Sequence, residues 1–85
     1  MVSFEYKITN GTGLHARPAG MLVKTAQSCT SKITVSGNGK SADATKLFAV
    51  LGLNTKSGDV ISFSISGKDE EGARGKIEAF CKENL

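Results

Sequence analysis

Hydrophobic and polar residues alternate in four short stretches of this chain, and the alternation predicts four strands. In the first stretch, Phe4, Tyr6 and Ile8 are separated by single polar residues. Successive side chains of a strand point to opposite faces, so one face of this strand is expected to be buried and the other solvated. The predicted strands cover Ser3 to Ile8, Lys32 to Val35, Lys40 to Ala44 and Ile61 to Ile65.

Three further segments carry the apolar spacing of helices. In the first of them, apolar residues recur at i, i+3, i+4 and i+7 and form one stripe. Pro18 falls in its first turn, where the missing N–H costs little. The second segment is short and ends at Asn54, a residue that tolerates the left-handed conformation of a helix end. The predicted helices cover Ala16 to Ser28, Leu47 to Leu53 and Glu70 to Glu83.

The order of these elements is β-α-β-β-α-β-α, which is typical of an α+β domain with two layers. Gly37-Asn38-Gly39 is a strong signal for a hairpin between the second and third strands. Strands with one apolar face favour an antiparallel sheet with the helices packed on one side. We expect residues 1–85 to form a single domain, with the serines at 62, 64 and 66 on the solvated face of the sheet.

Composition narrows the possible functions. The chain has 85 residues and a net charge of +3, a mild basicity that suits an acidic protein partner and is weak support for nucleic acid binding. Its one histidine and two separated cysteines, Cys29 and Cys81, are too few for a zinc site. The amino-terminal segment lacks the apolar stretch of a secretory signal, and no apolar run could span a bilayer. We therefore expect a cytoplasmic protein with reduced thiols and without membrane insertion.

The segment with the clearest chemistry is Gly13-Leu14-His15-Ala16-Arg17-Pro18-Ala19. It places His15 between a glycine loop and the start of a helix, where free backbone amides form an anion site. Pro18 has no amide hydrogen, so Ala16 and Arg17 are the predicted amide donors. The Arg17 guanidinium can bind phosphoryl oxygens through charge-assisted hydrogen bonds. A neutral imidazole is a nucleophile, so His15 is the candidate phosphoryl acceptor. From local physics alone, an ordinary surface histidine beside a helix cap fits the same residues.

This segment resembles the active-site signature of the HPr family, the histidine-containing phosphocarriers of the bacterial phosphoenolpyruvate-dependent sugar phosphotransferase system. The resemblance extends over essentially the whole chain, in its length, in its element order and in the segment from Leu47 through Gly58-Asp59. It implies an open-faced β-sandwich, with four antiparallel strands and three helices on one face. It also implies that His15 accepts a phosphoryl group on Nδ1 from Enzyme I and passes it to sugar-specific Enzyme IIA domains, with assistance from Arg17. A carrier of this kind is not an enzyme, and it needs no cofactor and no metal.

The short second helix is a candidate docking surface. Leu47, Phe48 and Leu51 cannot all face the core if Val50 and Leu53 already do. An exposed apolar patch beside a charged site indicates a surface that binds a partner. In the HPr family this helix flanks the active site, so the resemblance implies the same use here.

Two lysines complete the predicted docking surface and mark a departure from the family. Lys24 and Lys46 are candidates for a basic rim that meets acidic partners, although both could be ordinary solvated side chains. Many HPr proteins carry a regulatory serine at the position of Lys46. A lysine cannot be phosphorylated by the serine kinase, and the neighbouring Thr45 is not a match for that serine. We therefore do not carry this regulation over.

Three other interpretations compete with the carrier hypothesis. The first is an HPr-like paralogue that acts as a regulatory or protein-binding module. The second is a nucleic-acid-binding domain, which the scarcity of aromatic residues on the predicted solvated sheet face disfavours. The third is an independent enzyme, which is least favoured because no second acid–base group accompanies His15. We expect the protein to be a monomer.

Overall fold

Seven elements follow one another in the predicted order. In a computed structural model of the chain, the described residues are 1–9, 11, 13–14 and 16–85. The strands are β1 (Val2–Lys7), β2 (Lys32–Gly37), β3 (Lys40–Asp43) and β4 (Val60–Ser66), and the helices are α1 (Ala16–Gln27), α2 (Leu47–Leu51) and α3 (Glu70–Asn84).

The strands form one antiparallel sheet in the order β1-β4-β2-β3. Phe63 of β4 lies opposite Phe4 of β1 and Val35 of β2, which places their side chains on one face. The rings of Phe4 and Phe63 stack with their centroids 5.2 Å apart. The helices cover this face, so the predicted open-faced β-sandwich is confirmed.

The core lies between the sheet and the apolar stripes of α1 and α3. Pro18 at the start of α1 is buried, and Phe63 and Ile77 are fully buried. In each of these two helices, the apolar stripe that the spacing predicts is buried. In α1 it comprises Pro18, Ala19, Leu22, Val23 and Ala26, and in α3 Ala73, Ile77, Phe80 and Cys81.

The β2–β3 hairpin turns as the Asn-Gly pair predicts. Asn38 and Gly39 have φ angles of 52° and 77°, and two successive positive values are those of a type I′ turn. The Asn38 side chain also donates hydrogen bonds to the carbonyl oxygens of Leu53 and Asn54, both at 3.0 Å. The hairpin is thereby tied to the segment that follows α2.

The observed ends of the elements differ from the predicted ones by at most two residues, and backbone hydrogen bonds accompany two of these differences. The strand β1 runs from Val2 to Lys7, and Ile8 lies beyond it, where its amide donates to the carbonyl oxygen of Asp59. The helix α2 ends at Leu51 rather than Leu53, because the amide of Leu53 donates to Val50 three residues back and tightens the last turn. Asn54 has the predicted positive φ, 54°.

The start of α3 is anchored to the loop before β2. The Asp69 carboxylate accepts hydrogen bonds from the amides of Thr30 and Ser31, at 3.0 and 2.8 Å, and from the Ser31 hydroxyl. These bonds, with the Ser31 hydroxyl first, lower the pKa of Asp69 from 3.8 to about 2. No helix in the described part of the chain is long and apolar enough to cross a membrane.

Candidate functional site

The residues immediately before position 15 rest on the loop that follows α2. Gly13 has a φ of 69°, and a β-carbon on it would lie 2.6 Å from both the Lys56 Cα and the Thr55 carbonyl oxygen. The Leu14 amide donates to that same oxygen at 3.3 Å, and the Leu14 side chain is buried. Only a glycine fits this close approach at a positive φ. The backbone that leads into the candidate site is therefore held in place.

His15 itself lies outside the described residues, as do Asn10 and Thr12. The predicted position of its imidazole at the helix start therefore stays a prediction.

The helix α1 begins at Ala16, so the predicted amide donors occupy its first two positions. Ala16 and Arg17 are exposed, whereas the next two residues, Pro18 and Ala19, are buried and fix the first turn to the core. The first amides of a helix have no acceptor within it and carry a partial positive charge. The first turn contains no acidic residue that would compete for them. This helix start is the candidate anion site.

Arg17 is available to such an anion. Ion pairs among the described residues join the amino terminus to Glu70 and Arg74 to Glu78. Neither pair involves Arg17, which therefore has no carboxylate partner in the described ranges. An exposed guanidinium that is not neutralised can share an incoming phosphoryl group with the helix amides.

The three apolar residues that the sequence assigns to the docking surface differ in their exposure. Phe48 is 85% exposed and Leu47 is 37% exposed. Leu51 is half-buried and packs against the core, while Val50 and Leu53 are fully inside. The exposed apolar patch on α2 therefore consists mainly of Leu47 and Phe48, and Leu51 is only partly exposed.

Both predicted basic residues are exposed, and Lys46 occupies the N-cap position of α2 without a side-chain cap. The loop before it is organised by Asp43, whose carboxylate accepts from the Thr45 amide at 2.9 Å and from the Thr45 hydroxyl at 2.6 Å. The Thr45 hydroxyl is the main cause of a lowered pKa at Asp43. Gln27, at the end of α1, donates to the Thr45 carbonyl oxygen at 3.3 Å and links α1 to the loop before α2.

Sequence reasoning missed two features of this region. The first is the close packing of Gly13 against the backbone of Thr55 and Lys56. No local sequence pattern indicates this contact. The second is Met21, which is 43% exposed on α1. Its position at i+4 from Arg17 places it on the same helix face, and helical periodicity could have indicated that.

These features define an open-faced β-sandwich protein with a candidate anion site and an apolar patch at its surface. Comparisons with known proteins agree. Residues 2–83 match the family model described as the PTS HPr component phosphorylation site. The chain is 41% identical over 73 residues, 86% of each chain, to the phosphocarrier protein HPr of Haemophilus influenzae.

Solved structures give the same result. The crystal structure of HPr-C-His from Thermoanaerobacter tengcongensis has a TM-score of 0.92 at 34% identity and covers 98% of this chain and 93% of its own. An HPr dimer from the same organism gives 0.76 at 34% identity, covering 98% of this chain and 95% of its own. The chain belongs to the HPr family. It is a phosphocarrier of the phosphotransferase system and not a catalytic enzyme.

Proposed function

We propose that His15 accepts a phosphoryl group from Enzyme I of the phosphotransferase system and donates it to Enzyme IIA domains. One observation supports this above the others. The exposed start of α1 presents Arg17 and the first two helix amides, and the segment that precedes position 15 is held by the Thr55–Lys56 backbone. Position 15 lies between these two segments in the sequence, so we assign the phosphoryl acceptor to it.

The transfer requires little chemistry from the carrier. An imidazole nitrogen of His15 attacks the phosphorus, a new N–P bond forms, and the bond from the phosphorus to its donor atom on Enzyme I breaks in line with it. The electron pair of the broken bond stays with that donor atom. Arg17 and the amides of Ala16 and Arg17 bind the equatorial oxygens while the group moves.

The strength of this binding suits a carrier. An exposed helix start contributes about 0.3–1 kcal/mol, and a hydrogen bond to a charged group about 1.5–3 kcal/mol. Together they orient the phosphoryl group without retaining it. Because Arg17 is exposed, the nucleophile of a downstream protein can reach the same phosphorus from outside.

We assign partner binding to the surface formed by α1 and α2. It comprises Lys24, Lys46, Leu47 and Phe48, with Leu51 as a partly buried contributor. Apolar side chains provide contact area at the centre, and the lysines select acidic partners and accelerate association. The alternative, an HPr-like paralogue with only a regulatory or protein-binding role, would keep the patch but would have no need of the anion site.

We also propose that the protein works as a cytoplasmic monomer. Cys29 and Cys81 are both free, and burial raises the pKa of the Cys81 thiol to about 12, which makes it inert. The fold overlaps more closely with the related HPr-C-His chain than with the related dimer. Size-exclusion chromatography with light scattering tests the oligomeric state.

Incubation with Enzyme I and labelled phosphoenolpyruvate tests the proposed function. We expect one acid-labile phosphoryl group per chain, and its transfer to a IIA domain when one is added. A protein that is never labelled would contradict the carrier role of this chain. A protein that is labelled but cannot discharge to any IIA domain would favour the regulatory alternative.

A further inference from the structure

The backbone of Lys56 lies against the segment that leads into position 15. A β-carbon on Gly13 would lie 2.6 Å from the Lys56 Cα and 3.1 Å from the Lys56 carbonyl carbon. The neighbouring Thr55 carbonyl oxygen accepts a hydrogen bond from the Leu14 amide, at 3.3 Å. These two adjacent contacts fix where the Lys56 side chain begins relative to the segment before the candidate site.

The loop that carries Lys56 is held in place by backbone and side-chain bonds. The Lys56 amide donates to the Asp59 carboxylate at 2.9 Å, and the Asp59 amide donates back to the Lys56 carbonyl oxygen at 3.0 Å. The Gly58 amide donates to the Ile8 carbonyl oxygen at 2.8 Å, and the Ile8 amide donates to the Asp59 carbonyl oxygen at 2.9 Å. A positive charge on this loop therefore stays close to the same stretch of backbone.

The ammonium group of Lys56 is available to an anion. Lys56 is exposed, and the ion pairs among the described residues involve other groups, so its ammonium has no carboxylate partner in that part of the chain. Asp59 is the acidic residue nearest to it in the sequence, and its carboxylate accepts from the Lys56 backbone amide. Lys56 therefore differs from a lysine that a structural ion pair already neutralises.

Lys56 can reach a phosphoryl group on the proposed acceptor. Position 15 is two residues beyond Gly13, and two residues of chain span at most about 7 Å. The lysine ammonium is a compact charge with three donors on a flexible stem of four carbons. It can approach the group from the preceding segment, whereas Arg17 approaches from the helix that follows. Phosphoryl transfer spreads negative charge over three equatorial oxygens, and positive groups aimed at them stabilise the transition state.

We propose that Lys56 is a second cation of the phosphoryl site. Its ammonium binds an equatorial oxygen of the phosphoryl group while that group passes from Enzyme I to the acceptor at position 15. Lys56 keeps its proton throughout, and the bonds that form and break are those of the transfer already described. This inference rests on the proposed function and adds one residue to the machinery of the site.

Removal of the charge at Lys56 tests the proposal, with Lys68→Gln as the control for Lys56→Gln. Both lysines are exposed in loops, and the seven residues of β4 separate these loops by about 20 Å at roughly 3.3 Å per residue. Enzyme I that already carries a labelled phosphoryl group is mixed with each variant in a rapid-quench apparatus. The dependence of the transfer rate on carrier concentration gives a limiting rate and a half-saturating concentration.

We expect Lys56→Gln to lower the limiting rate about fivefold relative to Lys68→Gln, at a similar half-saturating concentration. Lys56→Arg should keep most of the wild-type rate because it keeps the charge. Equal limiting rates for Lys56→Gln and Lys68→Gln would overturn the inference. A change in the half-saturating concentration alone would also overturn it, because Lys56 would then contact the partner and not the moving group.

Two further measurements separate this role from a structural one. Urea unfolding should give the same midpoint for Lys56→Gln and its control, and a markedly lower midpoint for Lys56→Gln would overturn the inference. Transfer to Lys56→Arg as slow as transfer to Lys56→Gln would overturn it as well. The carrier function survives each of these results. Absence of transfer to the wild type would instead overturn the proposed function, and this inference with it.

Discussion

Gly13 lies against Lys56 so closely that a β-carbon on Gly13 would be 2.6 Å from the Lys56 Cα. These two residues are far apart in the sequence, yet their contact sets the path of the backbone into position 15. The Leu14 amide reinforces it through its hydrogen bond to Thr55. The backbone at Gly13 and Leu14, just before the candidate site, therefore depends on the loop after α2.

The first prediction concerns this contact. Gly13→Ala should destabilise the protein by about 1–2 kcal/mol or more, because alanine is strained at a φ of 69° and its β-carbon meets backbone that cannot yield. It should also slow phosphorylation by displacing the segment before His15. Urea unfolding and the initial rate of labelling measure the two effects.

The matched control for that change is Gly11→Ala. No atom lies within 4 Å of a β-carbon at Gly11, so its stability should stay within about 0.5 kcal/mol of the wild type. If Gly13→Ala proved as stable and as active as the control, the loop after α2 would have no role in positioning the site.

The second prediction concerns Arg17. Arg17→Ala should lower the rate of phosphoryl transfer about tenfold or more, since a hydrogen bond to a charged group contributes about 1.5–3 kcal/mol. The melting temperature should change little because the side chain is exposed and has no ion-pair partner among the described residues. Arg17→Lys, which keeps the charge and loses the planar fork, should give an intermediate rate. A large fall in melting temperature would show that Arg17 is structural.

The third prediction concerns regulation. An ATP-dependent HPr kinase should not label this protein, because Lys46 stands at the position of the regulatory serine and the Thr45 hydroxyl is engaged by Asp43 at 2.6 Å. The measurement is kinase incubation with labelled ATP, with a serine-bearing HPr as the positive control. Lys46→Ser should gain labelling under the same conditions. Stoichiometric phosphate on wild-type Thr45 would refute this expectation.

The fourth prediction concerns how the stability of the folded protein changes at acidic pH. The pKa of Asp69 is lowered in the folded state, from 3.8 to about 2. A lowered pKa contributes stability that is fully present above the unfolded value and is lost as the pH falls towards the folded value. The wild type should therefore lose stability between about pH 4 and pH 2. Asp69→Asn should lose less over that interval.

Glu71→Gln is the control for the acid experiment, since Glu71 is exposed in the same turn of α3 without the contacts to Thr30 and Ser31. Urea midpoints measured at several pH values compare the three proteins. Identical slopes for wild type and Asp69→Asn would show that the Asp69 bonds do not stabilise the folded state.

The sequence predicted most of the fold because its signals are local. Alternation at Phe4 and Tyr6 gave β1, and the Asn38-Gly39 pair gave the hairpin with its turn type. The apolar stripe of α1 gave both the helix and its buried face. Each of these depends on residues within a few positions of one another, where propensity and pattern agree.

What the sequence could not predict depends on contacts between distant segments. No local pattern in the sequence indicates the close contact between Gly13 and Lys56. The partial burial of Leu51 also has no local signal, because it follows from the packing of α2 against the core.

The central claim is that one imidazole carries the phosphoryl group. Its most direct test is intact-protein mass spectrometry after reaction with Enzyme I and phosphoenolpyruvate, for the wild type and for His15→Ala. We expect a single phosphoryl adduct on the wild type, which acid removes, and none on the variant, with both proteins folded. An adduct of equal yield on His15→Ala would contradict the account.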